Sequence, residues 1–349
     1  MPETMRAFVL TGHGGPERLA LEEAWPVPAV GAGEVLVRVS ACGINNTDIN
    51  TRVGWYAQKG WRGSITFPRI QGGDVCGHVV DLGDGVDGDL RDRRVIVDPW
   101  LRDWSAPDAL ERCGVLGSER DGGFAEYMSV PWQNVHPVSS SLSDVELASF
   151  PMSSITAANM LDRASVAERE SVIVTGASGG VGSALVQLAR SRRATVIAVC
   201  GDDKADQVRR LGAAALVSRD LHNLVSCVRA ATDGDTVDAV MDLVGGPQWT
   251  RLIGTLRAGG RYCCAGAVAG PSVELDLRTL YLNDLALLGA TVPPPHLFGE
   301  LVSSIENGQI APVVAATFPL HQLPAAQEMF SAKRYVGNIV IDVGGAASR

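Results

Sequence analysis

The run Val172-Ile-Val-Thr-Gly-Ala-Ser-Gly-Gly-Val-Gly182 is an apolar segment that enters a cluster of glycines and continues into an amphipathic stretch over 183–190. Strand, turn and helix in that order build an anion site, because amides at a helix N-terminus carry partial positive charge and glycine lets a phosphate approach the backbone. Gly179, without a Cβ, admits a pyrophosphate, and Gly182 lets the helix lie on the strand. Ala177 stands where the G-x-G-x-x-G fingerprint has its first glycine, a change that a turn of slightly different geometry absorbs. The motif predicts that Ala177, Ser178, Gly179, Gly180, Val181 and Gly182 hold the pyrophosphate of a nicotinamide dinucleotide.

Which dinucleotide should be readable after the next apolar run, where an acidic residue would grip the ribose 2'-hydroxyl of NAD. Here Val196-Ile-Ala-Val ends in Cys200-Gly201, and Lys204 follows in the next turn. Its ammonium, with Arg219 further on, suits a 2'-phosphate, so the pattern favours NADP(H) over NAD(H). Asp202 or Asp203 reaches the ribose instead if the turn is displaced.

These residues need a scaffold, and 349 residues suffice for two domains with separate cores. Residues 5–137 read as short alternating or apolar runs broken by Gly, Pro and Asp, a β-rich domain. Beyond 142, helical patterns alternate with apolar runs at 171–174, 195–199, 239–243, 260–265 and 285–290, which predicts an α/β domain with a parallel sheet and crossover helices. A helix near 324–330 and a strand at 337–343 resemble the first domain again, so the chain is expected to return to it. Between 98 and 123 lies a polar, Trp-containing loop long enough to form a lobe beside an active site.

Composition sets limits. Apolar residues make up 46% and charged residues 20%, and the net charge of -9 argues against a nucleic-acid partner. No run approaches a membrane span, and residues 1–10 read as a strand rather than a signal peptide, so a cytoplasmic protein is expected. Seven scattered cysteines without a C-x-x-C pair indicate neither a disulfide framework nor a zinc ribbon.

The chain resembles the medium-chain dehydrogenase/reductases, and within them the zinc-free quinone oxidoreductase branch. The resemblance covers nearly the whole length and rests on Ala41-Cys-Gly-Ile-Asn-Asn-Thr-Asp48, Gly72-Gly-Asp-Val-Cys-Gly-His-Val79, Asp121-Gly-Gly-Phe-Ala-Glu-Tyr127, 177–182 and Gly337-Asn-Ile-Val340. It implies a GroES-like catalytic domain (1–137, completed by 300–349), a Rossmann cofactor domain (138–299) and an active site in the cleft between them. It also implies a homodimer or homotetramer whose cofactor sheet extends across an interface near 285–290.

Zinc-dependent members coordinate the metal through a Cys, a His followed by Glu, and a later Cys or Asp. Those positions fall here on Asn45, on Gly73 and Asp74, and near Met152, and the structural zinc lobe is reduced to Cys113. Asn, Gly and Met supply no thiolate, imidazole or carboxylate, so no zinc is expected. The competing possibility is an atypical site from Asp74, Cys76 and His78, which alternate along one strand, with Cys42 nearby.

Without a Lewis acid, alcohol oxidation is the less natural reaction and reduction of a quinone or a small, hydrophobic α,β-unsaturated carbonyl the easier one. The resemblance points to Asn45, Thr47 and Tyr56 as hydrogen-bond donors to the substrate oxygen, with Asp48 structural. It places Thr156 beside the nicotinamide, and Gly266 and Ala267 at its carboxamide. The insert 57–67, with Trp61 and Phe67, is a pocket wall, a lid or an oligomer contact. Two other readings stay open: an alcohol dehydrogenase with an atypical metal site, and a protein that binds NADPH without turnover.

Overall fold

The structure is a computed structural model that describes residues 1–56 and 65–345. Most of the insert, Trp61 included, lies outside the described residues. The chain divides into two compact units: Met1–Met152 with Val314–Arg334 and Asn338–Arg349, and Ser153–Val313 with Tyr335–Gly337.

The first unit is β-rich. Its large sheet runs Val135–Pro137, Arg94–Val97, Asp74–Leu82, Glu34–Gly43, Asn338–Asp342 and Val314–Pro319, with Tyr127–Pro131 also pairing with Glu34–Gly43. A smaller sheet joins Leu19–Pro26, Thr4–Leu10 and Arg69–Ile70. Burial alternates only in the middle of Glu34–Gly43, where Val37 and Val39 are buried and Arg38 between them is exposed; Leu36 and Cys42 are buried as well, so the strand reads as a largely apolar run. The register of Glu34–Gly43 against Asp74–Leu82 sets Gly43 opposite Asp74. A Cβ on Gly43 would fall 2.9 Å from the Asp74 carboxylate, so glycine is what lets that side chain turn inward.

The second unit is a parallel sheet in the spatial order Ala215–Ser218, Thr195–Cys200, Ser171–Val174, Val237–Asp242, Leu256–Cys264, Ala286–Gly289. Numbered along the chain that order is 3-2-1-4-5-6, the doubly wound dinucleotide-binding arrangement, whose ligands bind at the carboxyl ends where the order reverses. One core cluster, Ile173, Ile197, Val240, Trp249 and Tyr262 among its members, fills one face. Tyr262 packs edge-on against Trp249 at 4.5 Å between centroids.

The unit boundaries fall later than the sequence placed them, at 152/153 rather than 137/138 and at 313/314 rather than 299/300. The physical reason for the first is Asp144–Leu147, a helix packed on the strands of the large sheet, and the Met152 amide, which donates to the Asp74 carboxylate. For the second, the helix His296–Glu306 ends before the crossing and buries Leu297, Phe298 and Leu301. Two strands, Ala215–Ser218 and Val314–Pro319, were not predicted.

Candidate functional site

In the first unit, Asn45 precedes the helix Asn46–Arg52. The Asp48 carboxylate accepts from the Asn45 amide at 2.8 Å and from the Gly72 amide at 3.2 Å, which ties the loop to the helix as expected of a structural Asp48. At the other end Arg52 donates to Gln327 at 3.0 Å and to the Gly14 carbonyl at 3.1 Å, fixing the helix against Leu323–Ala332. Asn45 Nδ2 donates to Asp74 Oδ2 at 2.8 Å, and the Met152 amide donates to Asp74 Oδ1. Burial pushes Asp74 up to about 7, against the pull of those two donors. Asp48 is likewise pushed up to about 7 by burial, with the Asp74 charge adding to it.

Asn45, Asp74 and Met152, the positions of zinc ligands in metal-dependent relatives, are therefore brought together. Their chemistry does not fit zinc: both Asp74 oxygens are engaged by N–H donors, Gly73 has no side chain, and Met152 offers a thioether. Among the described residues no three His, Cys, Asp or Glu side chains gather into a group able to hold a metal ion. The strand Asp74–Leu82 separates Asp74 from Cys76, since Cys76 donates to Asp144 at 3.7 Å beside Arg94, while Asp74 serves Asn45. Burial raises the Cys42 thiol well above its usual range, with the Asp48 and Asp74 charges adding to it.

Thr47 lies in the first turn of Asn46–Arg52 and is half-buried. The half-buried Tyr56 accepts a long hydrogen bond of 3.5 Å from Asn50, and its ring meets Trp55 edge-on at 5.1 Å. Phe67, the described end of the insert, packs edge-on against His13 at 4.9 Å.

In the second unit the glycine turn follows Ser171–Val174 directly. Gly176 takes a φ of +59°, so the tight turn is made one residue before the fingerprint's first glycine, and Ala177 fits fully buried behind it. A Cβ on Gly182 would fall 2.1 Å from the Gly176 carbonyl, which explains why this helix position tolerates no side chain. Gly179, where Gly180–Ser191 begins, would meet nothing but that carbonyl at 3.5 Å, leaving its outer side open for a phosphate. Gly337 reaches back to this turn, donating its amide to the Ser178 carbonyl at 2.9 Å. The turn and helix start thus fit a dinucleotide pyrophosphate.

Lys204 ends a short 3-10 helix after Thr195–Cys200 and is only 7% exposed; burial lowers its pKa. Around Gly201 converge Asp203 Oδ1 and the Arg219 guanidinium, 2.6 Å and 3.0 Å from where a Cβ would stand. Thr156 lies inside the helix Pro151–Arg163. Gly266 follows Leu256–Cys264, accepts the Cys264 thiol at 3.2 Å, and sits so close to the Leu243 carbonyl that a Cβ would be 2.5 Å away.

Sequence reasoning passed over a buried carboxylate beneath this edge, Asp242. Its signal was an aspartate closing an otherwise apolar strand, Val237–Asp242, which if buried must find donors.

Residues 31–140 match the family model of the alcohol dehydrogenase GroES-like domain, and 180–307 match that of zinc-binding dehydrogenases. A NAD-dependent alcohol dehydrogenase from Sulfolobus acidocaldarius is 30% identical over 97% of this chain and 100% of its own. The chain belongs to the medium-chain dehydrogenase/reductase superfamily. It is therefore a nicotinamide-dependent oxidoreductase of that superfamily. Acryloyl-coenzyme A reductase of Metallosphaera sedula is 29% identical over 97% of this chain and 99% of its own. Quinone oxidoreductase of Rattus norvegicus is 27% identical, with 93% of each chain covered. Among solved structures, a Sinorhizobium meliloti protein provisionally named an alcohol dehydrogenase is 45% identical, covers 98% of this chain and 97% of its own, and has a TM-score of 0.92. No helix among the described residues is long and apolar enough to cross a membrane.

Proposed function

We propose that this medium-chain reductase uses NADPH to reduce a quinone or a small, hydrophobic α,β-unsaturated carbonyl, without a metal. The observation that carries this reading is the Asn45–Asp74 hydrogen bond, which fills the metal position with an amide and a carboxylate already engaged with each other. When bound, the dinucleotide supplies hydride to the electrophilic carbon. The substrate carbonyl oxygen gains negative charge in that reaction, and the chain must supply donors to it. An Asn amide carries two N–H bonds, and Asp74 takes one of Asn45's, orienting the other. Thr47 and Tyr56 add a hydroxyl and a phenol to the same task. The quinone oxidoreductase and acryloyl-coenzyme A reductase among the relatives support this reaction type.

Gly179 to Gly182 hold the pyrophosphate, Gly266 and Ala267 the carboxamide, and Thr156 lies beside the nicotinamide. Arg219 and Lys204 receive the 2'-phosphate; burial makes an anion partner the more valuable to Lys204. Asp203, closer still to Gly201, is the group a NAD-type ribose would use.

The working form is a homodimer or homotetramer. Ala286–Gly289 is the edge of the cofactor sheet, with Leu287 exposed, and Leu277, Tyr281 and Leu282 expose a further apolar surface.

The test is zinc content by mass spectrometry of untagged protein purified without chelators from zinc-supplemented cells, followed by NADPH oxidation against quinones and enones. Substoichiometric zinc with turnover is expected. One zinc per chain would restore the alcohol dehydrogenase reading suggested by the Sulfolobus relative, and tight NADPH binding with no turnover would leave a non-catalytic binder.

A further inference from the structure

At the carboxyl end of the cofactor sheet, where the strand order reverses between Ser171–Val174 and Val237–Asp242, one carboxylate gathers three separate loops. Asp242 is fully buried. Its Oδ1 accepts from the Thr175 hydroxyl, from the Val244 amide at 2.9 Å and from the Gly245 amide at 3.1 Å, and its Oδ2 accepts from the Tyr262 hydroxyl. The Thr175 oxygen accepts in turn from the Leu243 amide at 2.9 Å, so its proton is committed to Asp242.

Each partner leads to a different loop. Thr175 immediately precedes Gly176 and the pyrophosphate turn. Tyr262 lies in the strand that delivers Gly266 and Ala267. Residues 243–246 are clasped between them: a Cβ on Gly176 would come within 3.3 Å of the Val244 side chain, and the Val244 carbonyl accepts from the Ala269 amide at 2.8 Å. A buried carboxylate is tolerated only when donors surround it. Here those donors are a hydroxyl at the pyrophosphate turn, two amides of the loop after Asp242 and a hydroxyl on the strand that leads to Gly266, so the carboxylate ties these segments together.

We infer that Asp242 is a positioning residue for the dinucleotide, fixing the spacing between the turn at Gly176 and the loop at Gly266 and Ala267 so that one cofactor spans both. The inference rests on the assignment of those loops to the pyrophosphate and the carboxamide. Asp242→Asn keeps the shape but turns N–H groups toward donors, which forces the loops apart.

The experiment compares Kd values of the full-length protein for NADPH and for its fragment lacking nicotinamide, 2'-phospho-ADP-ribose, alongside Tm. Asp242→Asn should weaken NADPH about tenfold or more and the fragment less than about threefold, because a misplaced second loop is felt only by the ligand that touches it. Equal weakening of both, or no change in either, would overturn the proposal. Tyr262→Phe and Thr175→Val each remove one link and decide the question if Asp242→Asn does not fold, with the same asymmetry expected at about three- to fivefold. Failure of the unaltered protein to bind NADPH would overturn the cofactor assignment itself, a result distinct from any effect of Asp242.

Discussion

Asn45 Nδ2 lies 2.8 Å from Asp74 Oδ2, an amide donating to a buried carboxylate across two segments 29 residues apart. The pairing is a chemical match that either neighbour's substitution by its isostere would break. Asn45→Asp would set two carboxylates against each other inside the unit, at an expected cost of about 2–4 kcal/mol at pH 8. The penalty should shrink toward pH 5, where the pair can share a proton. Urea denaturation at both pH values checks this; an undiminished penalty at pH 5 would mean that the two charges do not oppose each other.

The glycine at the start of the cofactor helix makes a second, purely steric prediction. A Cβ at Gly182 would stand 2.1 Å from the Gly176 carbonyl, so Gly182→Ala must push helix and turn apart. Overpacking of this kind costs about 1–3 kcal/mol, and the displaced amides should weaken NADPH binding about tenfold or more. Calorimetric titration, with Tm measured in parallel, gives both numbers.

Cofactor preference is best probed at Arg219, which is exposed, rather than at Lys204, whose burial would mix binding with folding. Arg219→Ala is expected to raise KM for NADPH about tenfold while leaving KM for NADH within about twofold. Equal effects on the two cofactors would take Arg219 out of 2'-phosphate recognition.

Stability should fall in mild acid. Burial depresses His136 from 6.5 to about 4, so the folded state keeps its imidazole neutral while the unfolded chain protonates it near 6.5. The contribution is complete above pH 6.5 and is lost as pH falls toward 4, by about 3 kcal/mol at most. His136→Gln should flatten that part of the stability curve, as followed by denaturant midpoints between pH 7 and pH 4.

Local pattern carried much of the architecture. The strand Ser171–Val174 and its glycine turn were legible because apolar run, glycines and amphipathic helix are adjacent in sequence. Ala215–Ser218 was not, since four small and apolar residues after Gly212-Ala-Ala carry no period of their own and become a strand by pairing with Thr195–Cys200. The same divide runs through the site. Asn45 and Asp74 could each be singled out, but their hydrogen bond depends on a register that places Gly43 opposite Asp74. Asp242 was hidden for a related reason: its donors come from Thr175, Val244, Gly245 and Tyr262, gathered by strand order.

The strand Asn338–Asp342 sits between Glu34–Gly43 and Val314–Pro319, pairing Ile341 with Cys42 on one side and with Phe318 on the other. During synthesis, residues 153–313 leave the ribosome almost as a complete parallel-sheet unit, ready to collapse at once. Residues 1–152 are made earlier, and Tyr127–Pro131 already covers one half of that edge of Glu34–Gly43, but its Ala41–Gly43 end stays unpaired until a strand made some three hundred residues later closes it. The large sheet is therefore completed only after the parallel-sheet unit lying between its two parts in the chain has been made.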